Sequence, residues 1–197
     1  MHPPSPEASA RLGWSAAILA GGQATRFGGR DKSALLVDGR TILETQIATL
    51  SPIAGDLMII RAADDVVPGC GPIGGIHAAL LKARSDDVFV VACDMPFITT
   101  PLAAYLLSLA ADADIVVPKT ERGYHPLCAV YTRRCLDAID RRLAERRLKM
   151  IELFADVKTR EVTAEALGRF GECDRLLANV NTPADYAGLE ALQGHKL

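Results

Sequence analysis

Two glycines, two basic residues and one aspartate have the clearest potential for chemistry in this sequence. Gly21 and Gly22 follow an apolar run, Arg26 and Lys32 come soon after, and Asp94 comes two residues after another apolar run. A glycine turn can align backbone N–H groups around an anion, and mobile cations neutralise phosphate oxygens. Carboxylate oxygens are ligands that Mg²⁺ prefers. Together these residues predict the binding of a magnesium-bound nucleoside triphosphate.

Each of these residues also has an ordinary structural interpretation. The glycine turn can be a surface loop with solvated charges, Arg26 can form a weak surface ion pair, and Asp94 can cap the turn before Pro96. Two better-known phosphate motifs are absent. Lys32 follows Asp31 rather than the glycine that a P-loop requires, and no G-x-G-x-x-G dinucleotide fingerprint occurs.

The apolar runs predict an α/β fold with a single doubly wound, mostly parallel sheet. Strands alternate with helical patterns along the whole chain. The predicted strands are 16–20, a short strand at 34–37, 57–60, 88–92, 115–117, 127–131 and an edge strand at 158–162. Because ligands bind beyond the carboxyl ends of parallel strands, we expect Gly21 and Asp94 at the same edge of the sheet.

Local signals predict where the helices begin. Thr41 and Glu44 form a capping-box pattern, and Thr100 is expected to cap the helix that begins at the following proline. Another helix is expected at 76–84, after a pair of glycines, and the last helix is expected to open at 182–185. The helix from residue 133 is predicted to expose a basic cluster formed by Arg141, Arg142, Arg146 and Arg147.

The composition fits one globular domain without a nucleic-acid or membrane surface. The chain has 197 residues and a net charge of -2, and no apolar run approaches the roughly 20 residues of a membrane span. Five cysteines without a C-x-x-C pair argue against a zinc site or a disulfide framework and fit a reducing cytoplasm. Cys70 is expected to be an exposed loop thiol. Residues 1–13 and 193–197 are expected to be tails around a domain at 14–192.

The segment from Leu19 to Lys32, L-A-G-G-x-x-x-R-x-G-G-x-D-K, resembles the signature of the molybdenum cofactor guanylyltransferases. These proteins are the MobA-type branch of the nucleotidyltransferases. Further pieces fit in the same order: Gly71-Pro72-Ile73-Gly74-Gly75, Cys93-Asp94-Met95-Pro96, His125-Pro126 and Asn179-Val180-Asn181-Thr182-Pro183. The resemblance implies a Rossmann-like nucleotidyltransferase fold. It also implies transfer of GMP from GTP to the terminal phosphate of a molybdopterin-type cofactor, with release of pyrophosphate.

The resemblance assigns expected roles to individual residues. Lys32, Arg26 and Asp94 are expected to act in catalysis, and Asp94 is expected to bind Mg²⁺. The nucleotide is expected to contact Leu19, Ala20, Gly21, Gly22, Lys32, Asp64, Asp65 and Asp94. The acceptor, molybdopterin or its molybdenum-bound form, is expected to contact His125, Pro126, Arg147, Asn179 and Asn181.

Several alternatives stay open. Asp64 or Asp65 is expected to contact the guanosine part, but either can be a solvated turn carboxylate. Family members usually carry an extra short strand before this aspartate, which this sequence lacks, and Arg61 stands where relatives often have a polar amide. His125 can be a packed or surface histidine.

The alternative functions are a cytidylyltransferase acting on the same or a related phosphate and a non-catalytic nucleotide-binding adaptor in cofactor delivery. The resemblance allows transient contact with molybdoenzymes or cofactor-carrier proteins. The net charge and the lack of a long apolar run indicate no nucleic-acid or membrane partner, and the cysteines indicate a cytoplasmic location.

Overall fold

A computed structural model describes residues 13–20, 35–37, 39–180 and 185 of the chain. The strands are β1 (Ser15–Leu19), β2 (Leu36–Val37), β3 (Arg40–Thr41), β4 (Asp56–Ile60), β5 (Asp87–Ala92), β6 (Ile115–Thr120), β7 (Gly123–Tyr124), β8 (Cys128–Thr132) and β9 (Thr159–Thr163). The α-helices are α1 (Ile42–Leu50), α2 (Pro72–Lys82), α3 (Thr100–Ser108), α4 (Leu136–Ala144), α5 (Met150–Leu153), α6 (Ala164–Leu167) and α7 (Cys173–Leu176). Short 3₁₀ turns lie at Ala62–Asp64, Ala110–Asp112, Arg133–Cys135 and Gly168–Phe170.

Seven of the described strands form one mixed, mostly parallel sheet. Its order is β4-β1-β5-β8-β6, and β7 and β9 both pair with β6. β1 pairs in parallel with β4 and β5, and β6 pairs in parallel with β9. β8 runs antiparallel to both of its neighbours, and β7 runs antiparallel to β6. The predicted α/β class with a mostly parallel sheet is therefore confirmed.

Helices cover both faces of this sheet, which explains why its central strands are apolar throughout. Along β1, Ala17 packs into the core under α2 and α4, whereas Ile18 packs into the core under α1 and α3, as the two-residue repeat of a strand requires. The helices contribute fully buried leucines and isoleucines to each core, and burying one such side chain stabilises the fold by roughly 1.5–3 kcal/mol. These side chains are Ile73, Ile76, Leu80 and Ile139 on one face and Leu50, Leu102 and Leu106 on the other.

The glycine-containing helix α2 begins four residues earlier than the sequence predicted, at Pro72. Gly71 caps it with φ 62°, a backbone conformation that favours glycine, and proline is well suited to the first helical position. Gly74 and Gly75 lie inside the helix, and at Gly74 the lack of a Cβ allows close packing. A Cβ on Gly74 would lie 3.1 Å from Asp65 Oδ2.

Two other local predictions have clear outcomes. The capping box at α1 is confirmed, since Thr41 Oγ1 accepts from Glu44 N at 3.1 Å and Glu44 Oε2 accepts from Thr41 N at 2.9 Å. The cap of α3 is one residue earlier than predicted: Thr99 Oγ1 accepts from Leu102 N. Within the part of the chain that the structure describes, no helix is long and apolar enough to cross a membrane.

Candidate active site

The carboxyl ends of β1, β4 and β5 meet at one edge of the sheet. Ala20 N donates a hydrogen bond to Ile60 O at 2.8 Å, and Cys93 N donates one to Leu19 O at 3.1 Å. The end of β1 is thus held between its two neighbours. Gly21 directly follows Ala20 in the sequence, so the glycine-rich segment starts from this edge. The predicted Gly21, Gly22, Arg26 and Lys32 lie outside the described residues.

Asp94 lies in a tight turn at the same edge, next to the end of β1. Within the turn, Met95 N donates to Ala92 O at 3.2 Å, and Asp94 O accepts a hydrogen bond from Val180 N at 2.8 Å. This bond also brings the exposed Asn179 beside the turn. Asn181 lies outside the described residues. Asp94 therefore lies next to the end of β1, after which the glycine-rich segment follows in the sequence, and the roles of these residues stay predictions.

The neighbouring Asp64 and Asp65 have different surroundings. Asp64 accepts a hydrogen bond from Arg61 N at 2.7 Å through Oδ2, and its Oδ1 forms an ion pair with Lys82. The hydrogen bond from Lys82, followed by that from Arg61, lowers the pKa of Asp64. Asp65 packs against Gly74 in the first turns of α2, where burial, followed by the charge of Asp64, raises its pKa.

The segment between β4 and α2 contains only one short 3₁₀ turn. No strand occurs between Ile60 and Pro72, all of whose residues the structure describes. This connection therefore has no strand before Asp64 and Asp65, as the sequence indicated. Cys70, expected to be an exposed loop thiol, is only 1% exposed because it packs against α2, where a Cβ on Gly74 would lie 3.1 Å from Cys70 Cβ.

His125 and Pro126 lie in the connection between β7 and β8, at the carboxyl edge of β5. Ala92 N donates to Leu127 O at 2.9 Å, which fixes this connection beside the end of β5. His125 Nε2 lies 3.0 Å from Thr120 Oγ1, and burial, followed by the charge of Arg122, lowers the pKa of His125. The imidazole is therefore mainly neutral at pH 7. Pro126 O accepts a hydrogen bond from the Tyr131 hydroxyl at 2.8 Å.

Arg147 lies after α4, in a turn that reaches the segment just before α2. Its neighbour Arg146 places Nη1 3.7 Å from Cys70 Sγ. Arg147 itself pairs with Glu145 at 3.3 Å and, more distantly, with Glu152 at 3.9 Å. The contact of Arg146 with Cys70 places this turn beside the segment that leads into α2.

Arg142 is not part of an exposed cluster, and this prediction was wrong. Its side chain is buried, with Nε 2.6 Å from Asp156 Oδ2 and Nη2 2.6 Å from Glu152 O. The cause is its helical position, which follows Ile139 by three residues and precedes Leu143 by one, on the buried face. That spacing, together with acidic residues at 152 and 156, was the sequence signal for a buried ion pair.

Gln46, a buried polar residue next to the candidate site, was not identified from the sequence. Its Nε2 donates to Ala92 O and to Met95 O, on either side of Asp94. The apolar residues Leu43 and Ile47 of α1 are only half-buried. The fully buried stripe is Ile42, Gln46 and Leu50, at intervals of four residues.

Two curated relatives match most of the chain. The probable molybdenum cofactor guanylyltransferase of Pelotomaculum thermopropionicum is 35% identical over 181 residues, covering 85% of this chain and 87% of the relative. The molybdenum cofactor guanylyltransferase of Desulfosudis oleivorans is 32% identical over 187 residues, covering 88% and 93%.

Solved structures share the fold. Molybdopterin-guanine dinucleotide biosynthesis protein A from Archaeoglobus fulgidus aligns with a TM-score of 0.78 at 24% identity, covering 91% of this chain and 98% of that one. The 2-C-methyl-D-erythritol 4-phosphate cytidylyltransferase of Thermus thermophilus aligns with a TM-score of 0.66 at 19% identity, covering 92% and 98%. Residues 16–157 match the MobA-like NTP transferase domain, and the chain belongs to this family of nucleotidyltransferases.

Proposed function

We propose that this chain transfers GMP from GTP to the terminal phosphate of a molybdopterin-type cofactor. The observation that carries this proposal is the hydrogen bond from Cys93 N to Leu19 O at 3.1 Å. It joins the strand end before Asp94 to the strand end before the glycine-rich segment, so one triphosphate can contact both. The two relatives above are named as molybdenum cofactor guanylyltransferases, which supports GTP as donor and a molybdopterin as acceptor.

The proposed reaction needs no protein nucleophile. A terminal phosphate oxygen of the acceptor forms a bond to the α-phosphorus of GTP. The bond from the α-phosphorus to the bridging oxygen breaks, and its electron pair leaves with pyrophosphate. Because the attacking oxygen is already anionic, the protein accelerates the reaction by positioning the two phosphates and stabilising their charge.

The donor set at this edge fits a Mg²⁺ ion that binds together with the nucleotide. Mg²⁺ is usually held by one or two carboxylates, waters and substrate phosphates, and Asp94 supplies one such carboxylate. Among the described residues, no group of three or more His, Cys, Asp or Glu forms a self-sufficient metal site. When bound, Mg²⁺ neutralises charge on the triphosphate. We propose that Asp94 holds this ion and that Lys32 and Arg26 neutralise the departing pyrophosphate.

Asp65 is the better candidate for the contact with guanosine. Both carboxylate oxygens of Asp64 already have partners, in Arg61 N and Lys82. Asp65 lies against the first turns of α2 and is partly withdrawn from water, which strengthens its hydrogen bonds to a ligand. We propose that Arg147, whose neighbour Arg146 contacts Cys70 just before α2, contacts the phosphate of the acceptor.

We propose that the acceptor contacts His125 and Pro126, in the connection between β7 and β8, together with Asn179 and Asn181. Because His125 is mainly neutral, it acts there as a hydrogen-bonding group rather than as a cation. We extend the proposal to transient contact with the cytoplasmic molybdoenzymes or carrier proteins that receive the product.

The test is pyrophosphate release from GTP or CTP by the full chain, with and without a molybdopterin acceptor and with added Mg²⁺. We expect release only with GTP and acceptor together, and its loss when EDTA replaces Mg²⁺. A preference for CTP would identify a cytidylyltransferase instead. Binding of GTP without any pyrophosphate release in the presence of acceptor would identify a non-catalytic adaptor.

A further inference from the structure

The buried side chain of Gln46, in α1, holds both ends of the turn that carries Asp94. Gln46 is 1% exposed, and its Nε2 donates hydrogen bonds of 2.8 Å to Ala92 O and 2.9 Å to Met95 O. These carbonyls belong to the first and last residues of the four-residue turn 92–95. One amide nitrogen from another element therefore bridges the turn on either side of Asp94.

The other atom of this amide indicates that Gln46 is not present for core stability alone. Gln46 Oε1 is buried and has no hydrogen-bond partner among the described residues. A buried oxygen without a partner is unfavourable. An apolar side chain of similar length between Ile42 and Leu50 would complete the buried stripe of α1 without that cost. What the amide adds is the pair of hydrogen bonds to the turn.

We propose that Gln46 is a positioning residue that fixes the 92–95 turn and thereby the place of Asp94 beside the end of β1. That Asp94 binds a metal–nucleotide ligand rests on the proposed function, whereas the two hydrogen bonds of Gln46 do not. Without the amide, Met95 O loses this donor and Ala92 O keeps only the hydrogen bond from Met95 N within the turn, so the turn samples more conformations. A metal–phosphate site requires its carboxylate within a fraction of an ångström, so binding weakens.

The first arm of the test is hydrogen–deuterium exchange on the full-length chain. Gln46→Met keeps the length of the side chain but has no amide, and Leu50→Ala is a control that removes packing from the same stripe without removing a hydrogen bond to the turn. We expect amides 93–95 to exchange about tenfold faster in Gln46→Met, with little change in the centre of β1. If exchange at 93–95 is unchanged, or rises no more than in Leu50→Ala, the proposal is wrong.

The second arm is equilibrium titration with a fluorescent GTP analogue, in Mg²⁺ and in EDTA. We expect Gln46→Met to weaken binding about tenfold in Mg²⁺ and by less than about twofold in EDTA, as for other residues that orient a metal ligand. Asp94→Asn should show the same selective loss, and the double variant should lose nothing further. Additive losses, or equal losses with and without Mg²⁺, would overturn the positioning role.

The two arms separate this inference from the proposed function. If the unmodified chain binds the GTP analogue equally well in Mg²⁺ and EDTA, the proposed metal role of Asp94 fails. The exchange arm then still decides whether Gln46 holds the turn, because it requires neither nucleotide nor metal.

Discussion

Asp64 and Asp65 are adjacent in the sequence, yet their carboxylates have different partners. Asp64 closes the 3₁₀ turn through Arg61 N and reaches across to Lys82. Asp65 packs against the backbone of α2 near Gly74. The difference follows from the turn itself, because a carboxylate at the third position can bond the backbone N–H that precedes the turn. The next residue faces the helix instead.

The first prediction separates these two carboxylates. Asp65→Asn should raise the KM for GTP about tenfold, the equivalent of about 1.4 kcal/mol, because a charge-assisted hydrogen bond to the nucleotide is lost. Asp64→Asn is the matched control and should leave the KM for GTP within about twofold. Steady-state pyrophosphate release measures both. Equal effects of the two variants would contradict the assignment to Asp65.

The second prediction concerns the residues expected to act on the phosphates. Asp94→Ala and Lys32→Ala should each lower kcat roughly 10³-fold, by analogy with the loss of a key charge in phosphoryl-transfer enzymes. Both are charged rather than apolar side chains, so Tm should stay within a few degrees of the unmodified value. Single-turnover pyrophosphate release gives the rate. Near-normal turnover in either variant would refute the role of that residue.

At the scale of elements, a buried ion pair joins α4 to the segment around α5. Arg142 lies on the buried face of α4 and bonds Asp156 and the backbone of Glu152. This network fixes the chain that carries Arg146, Arg147 and Lys149 after the end of α4. The position of this turn beside Cys70 therefore depends on Arg142, a residue that is itself buried.

The third prediction is that Arg142→Met destabilises the fold by about 2 kcal/mol. This is less than the roughly 3–5 kcal/mol typical of an unpaired buried charge, because Asp156 and Glu152 keep access to water. Arg141→Met, on the exposed face of the same helix, is the control and should change stability by less than about 0.5 kcal/mol. Urea unfolding measures both variants. A similar midpoint for the two would show that the buried pair contributes nothing.

The fourth prediction uses the pH dependence of the same pair. The hydrogen bond from Arg142 lowers the pKa of Asp156 in the folded state. The resulting stabilisation is present above the unfolded pKa of about 4 and is lost as the pH falls through the lower folded pKa. Asp156→Asn should therefore flatten the fall in Tm between about pH 5 and pH 2. An unchanged fall in Tm at acid pH in this variant would contradict the stabilising contact between Arg142 and Asp156.

The sequence predicted elements well where apolar runs and caps were strong. The strand before Gly21, the strand before Asp94 and the capping box of α1 all lie where expected, give or take one residue. The start of α2 was missed because its glycines resemble a loop, and only the packing of Asp65 and Cys70 against them shows why they lie inside a helix. Gln46 and Arg142 were missed because their polarity suggested exposure, although their spacing placed them on buried faces.

At the scale of the whole molecule, the shared edge of β1, β4 and β5 predicts that nucleotide binding stabilises the entire fold. In the fifth prediction, GTP with Mg²⁺ at 100 times its Kd should add about 2.7 kcal/mol to the free energy of unfolding. For a chain of this size, that corresponds to a rise in Tm of roughly 5–10 °C. CTP, ATP and UTP at the same concentration are the controls in a thermal-shift experiment. A larger rise with CTP would contradict GTP specificity.

The reversed direction of β8 has a consequence for how such a fold can diversify. Because β8 begins where β5 ends, the segment with His125 lies at the same edge of the sheet as the end of β5, but it leads into a strand rather than out of one. It is fastened there by the bond between Ala92 and Leu127. One half of this edge is thus formed by residues that follow strands, and the other half by residues that precede a strand. Evolution can lengthen, shorten or replace the segment before β8 to suit a new second substrate, while the ends of β1, β4 and β5 keep their backbone unchanged.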